Sequence, residues 1–303
     1  MGNPAIAIPA LKELHHSSHD VLAVVSNPPK PMGRGRIPDE TSVVKTAIQL
    51  GLPLFQPVSL TDSDFIESIK VHNPDLFVVV AFRILPEILL TIPRKGSINL
   101  HTSWLPKYRG AAPIQRVLMN GESETGLTTF LIEPKVDRGA ILLRKKVIIE
   151  PEEDCGMLTE KMALMGADLL LETVDKFEQG TLKPRPQNPG SVSWAPKIKP
   201  EDCLINWSWT AEKIHNLIRA MSPKPGAHTF LKQRRFKIFK SEVIKTEKEY
   251  APGTVVNKTK QHLFIGTGFG LLKPLIIQLE GKRQMSIEDY LRGAPIEIGQ
   301  YFG

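Results

Sequence analysis

The fold class is decided by one stretch of sequence, Leu76-Phe77-Val78-Val79-Val80-Ala81, which is apolar at every position. A strand without polar alternation is typical of a parallel sheet, because helices cover both faces of such a sheet. A similar apolar run lies at residues 21–25, and amphipathic helical patterns at 42–51 and 62–72 separate the strands. This alternation predicts an α/β fold with a doubly wound, mostly parallel, Rossmann-like sheet.

The 303 residues fall into regions of different charge. Residues 1–180 carry 19 Lys+Arg and 22 Asp+Glu, a net charge of −3, whereas residues 181–303 carry 20 and 10, a net charge of +10. Five prolines in residues 181–200 are typical of a semi-rigid linker. Short strands separated by turn residues follow, which favours a small OB-like β-barrel. We therefore expect an α/β domain at 1–180, a linker at 181–200 and a basic barrel domain at 201–303.

The composition excludes several classes of protein. Two cysteines, Cys155 and Cys203, are too few for a disulfide scaffold or a cysteine-rich zinc module. The longest apolar run, residues 76–82, is shorter than the ~18 residues that a membrane span needs. No basic segment precedes an apolar one at the N-terminus, so we expect a cytoplasmic protein without a secretory signal. The basic second region indicates a polyanionic partner, with a solvated lysine-rich surface as the alternative.

The beginning of the α/β domain is unusual. A doubly wound sheet opens with an apolar strand that leads into a glycine turn, but here Met1-Gly2-Asn3-Pro4 already stands in that turn. We expect the first strand to be missing because the start codon was assigned too late. A neighbouring edge of the sheet would then be exposed.

The chemistry is indicated by the segment from Ser97 to Gly110. Asn99 and His101 stand two residues apart, so on a strand both side chains point to one face. They lie near the carboxyl end of the strand, where doubly wound sheets bind ligands. An amide donor and an imidazole on one face can stabilise an oxyanion and transfer a proton. The alternative is an asparagine that caps a turn beside a structural histidine.

The same segment resembles a known signature. The residues from Asn99 to Gln115 read Asn-x-His, then Ser-x-Leu-Pro-Lys-Tyr-Arg-Gly-Ala-Ala-Pro-Ile-Gln, which is similar to the folate-dependent formyltransferases. In that family a later aspartate completes the set, and Asp137 matches it. Motifs such as Ser193-Trp194-Ala195-Pro196-Lys197-Ile198 and Leu279-Glu280-Gly281-Lys282-Arg283-Gln284-Met285 extend the resemblance, toward the methionyl-tRNA formyltransferase branch, along almost the whole chain.

The resemblance implies a reaction of translation initiation, in which 10-formyltetrahydrofolate donates its formyl group to the α-amine of methionyl initiator tRNA. Asn99 and His101 would donate hydrogen bonds to the tetrahedral oxyanion. Asp137 would orient His101 and help to remove the proton of the amine. A folate-contacting segment is matched by Ser103, Trp104, Leu105 and Pro106. Trp104 stands where leucine is usual, and neither stacking on the ligand nor packing in the core is favoured for it.

Two basic segments are expected to bind the tRNA. A loop rich in glycine and proline contains Arg34 and Arg36, and Arg34 matches the family's arginine that reaches the acceptor end of initiator tRNA. A solvated surface loop is the alternative there. In the second domain, phosphate contacts are expected from a hairpin-like cluster of Lys232, Arg234, Arg235, Lys237 and Lys240. Lys237 lies between two apolar residues, so its side chain should face outward. We expect a monomer that binds folate and tRNA and uses neither a metal nor a membrane.

Two rival functions stay open at this point. A sugar-nucleotide N-formyltransferase would share the first domain, but the basic second region and its motifs disfavour that activity. A catalytically impaired RNA-binding homologue is disfavoured by intact Asn99, His101 and Asp137. Two departures from the family pattern lie close to the expected site: the loop at 81–86 is one residue shorter, and Arg138 and Ala140 flank the aspartate where threonine and aspartate are common.

Overall fold

The computed structural model describes residues 1–32, 37–293 and 296–303. Within them the chain forms two compact units, each assembled from separate stretches of sequence. Unit 1 consists of Met1–Ala111, Glu124–Ile148 and Thr159–Ala195, and unit 2 consists of Ala112–Ser123, Ile149–Leu158 and Pro196–Gly303. In the described ranges, no helix combines the length and the apolar character that crossing a bilayer requires.

The first half of the described chain alternates strands and helices. The strands are β1 (Val24–Val25), β2 (Lys30–Met32), β3 (Ile37–Asp39), β4 (Leu54–Phe55), β5 (Phe77–Val79), β6 (Ser97–His101), β7 (Glu124–Leu131) and β8 (Ile141–Ile148). The helices are α1 (Ile8–His16), α2 (Ser42–Gln49), α3 (Ser63–Val71), α4 (Glu87–Leu90), α5 (Pro113–Met119) and α6 (Cys155–Glu178). Side-chain caps start two of these helices, because Thr41 accepts from the Val44 N–H and Asp62 from the Phe65 N–H.

The α/β class expected from the sequence is confirmed for unit 1. Parallel ladders join β1 to β4 and β5 to β6, whereas β7 and β8 extend the second sheet in antiparallel fashion, in the order β5-β6-β7-β8. The connection between β7 and β8 is nine residues long. A parallel neighbour needs a crossover of about a dozen residues or more, so β8 turns back on β7.

Helix α6 packs against one face of β6, so the candidate site lies on the opposite face. A Cβ on Gly166 of α6 would lie 2.8 Å from the Leu100 side chain, so a glycine is needed for this close approach. Ile98, one pleat away on the same face as Leu100, is fully buried. Asn99 and His101 alternate with these two residues and therefore point to the opposite face of the sheet.

The first two residues lie between β1 and β5. The Gly2 N–H donates to the Val25 carbonyl, the Val80 N–H donates to the Met1 carbonyl, and the Met1 ammonium donates to the Val78 carbonyl at 2.7 Å. Burial lowers the pKa of this amine to about 5. A cavity of about 510 Å³ adjoins the amine, lined by residues that include Val21, Ala23, Leu76 and Phe77.

Unit 2 contains an antiparallel sheet with helices packed against it. Its strands are β9 (Ala227–Leu231), β10 (Arg234–Ile244), β11 (Val255–Lys258), β12 (Leu263–Gly266), β13 (Leu271–Leu279) and β14 (Met285–Ser286), and the helices α7 (Ala211–Ala220) and α8 (Ile287–Gly293) complete it with α5. The ladders run in the order β11-β12-β13-β10-β9, with β14 beside β13. Among the described strands these ladders form an open path, which establishes an antiparallel sheet for unit 2.

Candidate active site

β6 presents the expected asparagine and histidine from the middle of the four-stranded sheet. Asn99 is paired in register with Val79 of β5 and Phe130 of β7, and His101 is paired with Thr128. Asn99 is half-buried, and its Oδ1 is a buried atom that has no hydrogen-bond partner among the described residues. Buried polar groups are nearly always paired, so this oxygen is an unsatisfied group at the centre of the site.

Three contacts fix the imidazole of His101, which is 7% exposed. Its Nε2 lies 2.9 Å from the Tyr108 carbonyl oxygen, and because a carbonyl only accepts, Nε2 carries the hydrogen and donates it. The ring stands edge-on to Phe130, with ring centroids 6.4 Å apart. The other nitrogen, Nδ1, lies 4.0 Å from Oδ2 of Asp137. The orientation of the ring therefore turns Nδ1 toward the carboxylate.

Asp137 lies in the connection between β7 and β8 with a left-handed φ of +51°, a conformation that is uncommon for residues other than glycine. Its Oδ2 accepts a hydrogen bond of 2.8 Å from the Gly110 N–H. Gly110 itself has a φ of +122°, and a Cβ there would lie 2.7 Å from the Ala195 carbonyl oxygen. A glycine is therefore required to bring this N–H to the carboxylate.

The sequence thus predicted three residues that the fold brings together. An amide, an imidazole and a carboxylate can stabilise a developing oxyanion, hold a donor in orientation and accept a proton, which is the chemistry of acyl-type transfer. In the described part of the chain, no group of three or more His, Cys, Asp or Glu side chains is arranged to hold a metal ion.

The segment matched to folate binding is a tightly held loop. The side chains of Ser103 and Leu105 are fully buried, and Ser103 Oγ donates to the Lys107 carbonyl at 2.6 Å. Thr128 Oγ1 donates to the Ser103 carbonyl and accepts from the Leu105 N–H. Pro106 is also buried. These bonds fix the conformation of the loop and occupy several of its main-chain groups, so the half-buried Trp104 is the side chain of this segment that keeps surface for a ligand.

Trp104 packs against the sheet. A Cβ on Gly126 of β7 would lie 2.7 Å from Cε3 of the indole, so this glycine makes room for the ring. The Arg144 guanidinium carbon stands 5.1 Å from the ring centroid, within the range of a cation–π contact. The indole is half-buried, and one part of it remains open to solvent.

All five basic residues that unit 2 contributes to the expected tRNA contacts lie in the turn and the second strand of one hairpin. Lys232 and Gln233 form its two-residue turn, with φ values of +49° and +64°, as expected for a tight hairpin. Phe236 and Ile238 are fully buried while Lys237 between them is half-exposed, which confirms that Lys237 faces outward. Its Nζ donates to the Pro225 carbonyl. Of the other basic residues assigned to tRNA, three are exposed on β10: Arg234, Arg235 and Lys240. Arg34 and Arg36 lie outside the described residues.

Sequence reasoning assigned no role to two residues that contact this site. Arg109 stands inside the quoted motif and is only 6% exposed, and Gln187 lies in the proline-rich segment predicted to be a linker. The Gln187 side chain contacts both Arg109 and the loop of Asp137. Charged side chains are rarely buried, so the burial of Arg109 indicates a special role, but that burial is visible only in the structure. No local sequence pattern indicates a role for Gln187.

Comparison with known families decides the classification. A family model described as formyl transferase matches residues 1–174, and a model of the formyl transferase C-terminal domain matches residues 197–295. The chain belongs to the formyl transferase family. The methionyl-tRNA formyltransferase of Thermodesulfovibrio yellowstonii is 46% identical over 98% of this chain and 96% of its own length. That of Pelotomaculum thermopropionicum is 42% identical over 100% of this chain and 97% of its own.

Solved structures of formyl transferases share the fold. A sugar 3N-formyl transferase solved with dTDP and 5-N-formyl-THF has a TM-score of 0.67 at 20% identity and covers 93% of this chain and 97% of its own. An N-formyltransferase from Helicobacter canadensis, in complex with folinic acid and dTDP-3-aminofucose, has a TM-score of 0.66 at 22% identity, with coverages of 90% and 97%. At such identities the likeness establishes the fold and not the acceptor.

Proposed function

We propose that the protein transfers the formyl group of 10-formyltetrahydrofolate to the α-amine of methionyl initiator tRNA. One observation carries the proposal: Asn99, His101 and Asp137 converge on one site in a chain whose full-length relatives are methionyl-tRNA formyltransferases. Among the described residues the Oδ1 of Asn99 has no hydrogen-bond partner, which favours a side chain that acts on a bound substrate rather than on the fold.

The free amine attacks the formyl carbon and a C–N bond forms. The formyl carbon becomes tetrahedral, and its oxygen becomes an oxyanion. The amide nitrogen of Asn99 donates a hydrogen bond to this oxyanion. Nε2–H of His101 is engaged by the Tyr108 carbonyl, so we assign the second donor to Nδ1 when that nitrogen also carries a hydrogen. Asp137 orients that ring and accepts the proton of the amine through a water molecule. The intermediate then collapses, the bond to the folate nitrogen breaks, and that nitrogen takes up the proton.

We assign folate binding to the loop of Ser103, Trp104, Leu105 and Pro106. Because the side chains of Ser103 and Leu105 are buried, and because the Ser103 carbonyl and the Leu105 N–H are already paired with Thr128, Trp104 is the part of this loop that offers an aromatic surface to a pterin ring. Formyl transferases of this fold have been solved with folate derivatives, which supports a folate site in this unit. No metal is assigned a role in the reaction.

We assign tRNA binding to the basic hairpin and to the glycine-rich segment that contains Arg34 and Arg36. Lys232 stands at the tip of the hairpin, and its other assigned members are Arg234, Arg235 and Lys237. Cationic side chains that make phosphate contacts add affinity without reading bases, and the affinity then falls as salt is raised. The division into a catalytic domain, a linker and a tRNA-binding domain remains a prediction on this basis.

We infer a Rossmann-like doubly wound sheet for unit 1 and an OB-like barrel for unit 2. The barrel is supported by the last residues of the chain, because Phe302 forms an isolated bridge with Leu231 of β9 while Tyr301 forms one with Thr254 beside β11. The segment thereby links the two edge strands of the sheet. A monomeric protein that acts in the cytoplasm stays the expectation.

A sugar-nucleotide amine is the second candidate acceptor, because the solved formyl transferases of similar fold include sugar N-formyltransferases. The decisive experiment incubates the purified protein with 10-formyltetrahydrofolate and either methionyl initiator tRNA or a dTDP-amino sugar. We expect formyl-methionyl-tRNA on an acid gel and no product with the sugar. Formylation of the sugar alone would overturn the proposal, and no transfer to either acceptor would favour an RNA-binding homologue that lacks catalysis.

A further inference from the structure

Residues 185–195, which we call the strap, connect the two loops that build the active site. At one end, Arg185 and Ile141 exchange both main-chain hydrogen bonds, at 2.8 and 2.9 Å, directly after the Asp137 loop. At the other end, the Arg109 N–H donates to the Ser193 carbonyl and the Ala195 N–H donates to the Arg109 carbonyl. The strap is thus fixed in place by both loops rather than acting only as a connection.

The side chain of Gln187 lies in the middle of the strap and uses both ends of its amide. Nε2 donates to the carbonyls of Asp137 and Gly139, each at 2.9 Å. Oε1 accepts from Nε of Arg109 at 3.1 Å and from its Nη2 at 2.6 Å. Two donated and two accepted hydrogen bonds employ the full capacity of a primary amide, so neither a carboxylate nor an alkyl chain can replace it.

These four bonds act on the group that orients the histidine. Asp137 has a left-handed φ of +51°, and a Cβ on Gly139 would lie 1.6 Å from the Leu131 carbonyl oxygen, so the loop takes a demanding path. Arg109, held by the other end of the amide, directly precedes Gly110, whose N–H donates to the Asp137 carboxylate. One glutamine therefore holds both the main chain of the aspartate and the neighbour of its hydrogen-bond donor.

The charge of Arg109 explains why the partner is neutral. Burial lowers the pKa of its guanidinium, the positive charge of Arg138 lowers it further, and the carboxylate of Asp137 raises it. A glutamate at 187 would compete with Asp137 for this positive charge, and its oxygens would face the two carbonyls that the amide nitrogen now satisfies. The glutamine satisfies the guanidinium without adding a negative charge beside the catalytic carboxylate.

We infer, on the basis of the proposed function, that Gln187 is a positioning residue for formyl transfer, which acts by holding the Asp137 carboxylate against Nδ1 of His101. The test uses Gln187→Glu, which keeps the size and the contact with Arg109 but loses both donors to the Asp137 loop. Gln187→Met, which removes all four bonds, serves if the first variant does not fold. The matched control is Thr173→Val, which removes a buried hydrogen bond to Thr129 in the same unit away from these loops.

With 10-formyltetrahydrofolate and methionyl initiator tRNA, we expect the Gln187 variants to lower kcat about 10- to 100-fold, the range for small misplacements of a reacting group. KM for both substrates should stay within about twofold, and Thr173→Val should keep kcat within about twofold. When Asp137→Asn is already present, adding Gln187→Glu should lower kcat by less than a further factor of about two, because the effect of Gln187 passes through the aspartate. A folded variant with normal kcat, or a full multiplicative loss in the Asp137→Asn background, would overturn the inference.

A second measurement does not depend on any acceptor. Hydrogen exchange of the Gly110 amide should be at least about tenfold faster in Gln187→Glu than in the parent, because its acceptor is no longer held. If the parent protein fails to formylate the tRNA, the proposed function fails, whereas the positioning effect can still be read from this amide. An unchanged exchange rate at Gly110 would refute the positioning role by itself.

Discussion

Substitution of Asn99 by alanine should separate activity from stability. The amide is expected to donate one hydrogen bond to the oxyanion, and loss of one such donor costs about 3 kcal/mol of transition-state stabilisation, or 10²–10³ in kcat. In the folded protein, however, the Asn99 Oδ1 is buried and has no partner among the described residues. A buried unsatisfied polar group costs about 1–3 kcal/mol, so its removal should leave the free energy of unfolding unchanged or raise it.

The chain offers a matched control on the same face of the same strand. Ser97 lies two residues before Asn99 on β6. Its hydroxyl oxygen is likewise buried and has no hydrogen-bond partner among the described residues. Ser97→Ala should therefore change stability in the same direction, by about 1 kcal/mol, while kcat stays normal because position 97 is farther from the carboxyl end of β6. The pair of variants isolates the catalytic contribution of the amide.

The measurements are single-turnover formyl transfer to methionyl initiator tRNA and urea unfolding followed by tryptophan fluorescence. We expect Asn99→Ala to lose at least about a hundredfold in rate with an unchanged or higher free energy of unfolding. A loss of rate smaller than about tenfold would contradict the oxyanion role. A fall in stability of more than about 2 kcal/mol would instead show that the amide supports the fold.

Three further outcomes follow from the same geometry. His101→Ala and Asp137→Ala should each lower turnover at least about a hundredfold with little change in tRNA affinity, measured by filter binding; near-normal turnover would remove that residue from the mechanism. Lys232→Ala combined with Arg235→Ala should weaken tRNA binding and reduce its log–log salt slope by about one per residue, and an unchanged slope would exclude phosphate contacts. For a chain that begins at Met1 with a free amine, the unfolded amine has a pKa of 8.0 and the buried one about 5. The unfolded state then binds more protons between these values, so the free energy of unfolding should rise between pH 5 and 8, by at most about 4 kcal/mol. Acetylation of the amine should abolish that rise, and its persistence after acetylation would assign it to other groups.

Local sequence signals predicted much of the secondary structure. The alternating segment that carries Asn99 and His101 is β6, and helical spacing in the second half of the chain corresponds to α7, Ala211–Ala220. Its start follows from Thr210, whose side chain accepts from the Lys213 N–H. These elements depend on alternation, helical spacing and capping residues, all of which lie within a few positions in the chain.

Pairing between strands was less accessible to sequence reasoning. The alternation of strands and helices predicted a mostly parallel sheet, but the β7–β8 connection is too short for a crossover and β8 runs antiparallel to β7. α5 lies within the first 180 residues of the chain, but its contacts place it in unit 2, where it packs against α7. Periodicity identifies the buried face of a helix but not the surface that will cover it.

The sequence by itself determined that Asn99 and His101 share a face of one strand, because side chains alternate along any strand. Through the resemblance of the motif around Asp137 it also predicted the third residue of the candidate site. Only the tertiary structure decided how that aspartate is held: the Gly110 N–H reaches it across 27 residues, Gln187 across 50, and the same glutamine reaches Arg109 across 78. Such contacts form only when the sheet has assembled and the strap has packed onto both loops, so no short-range pattern encodes them.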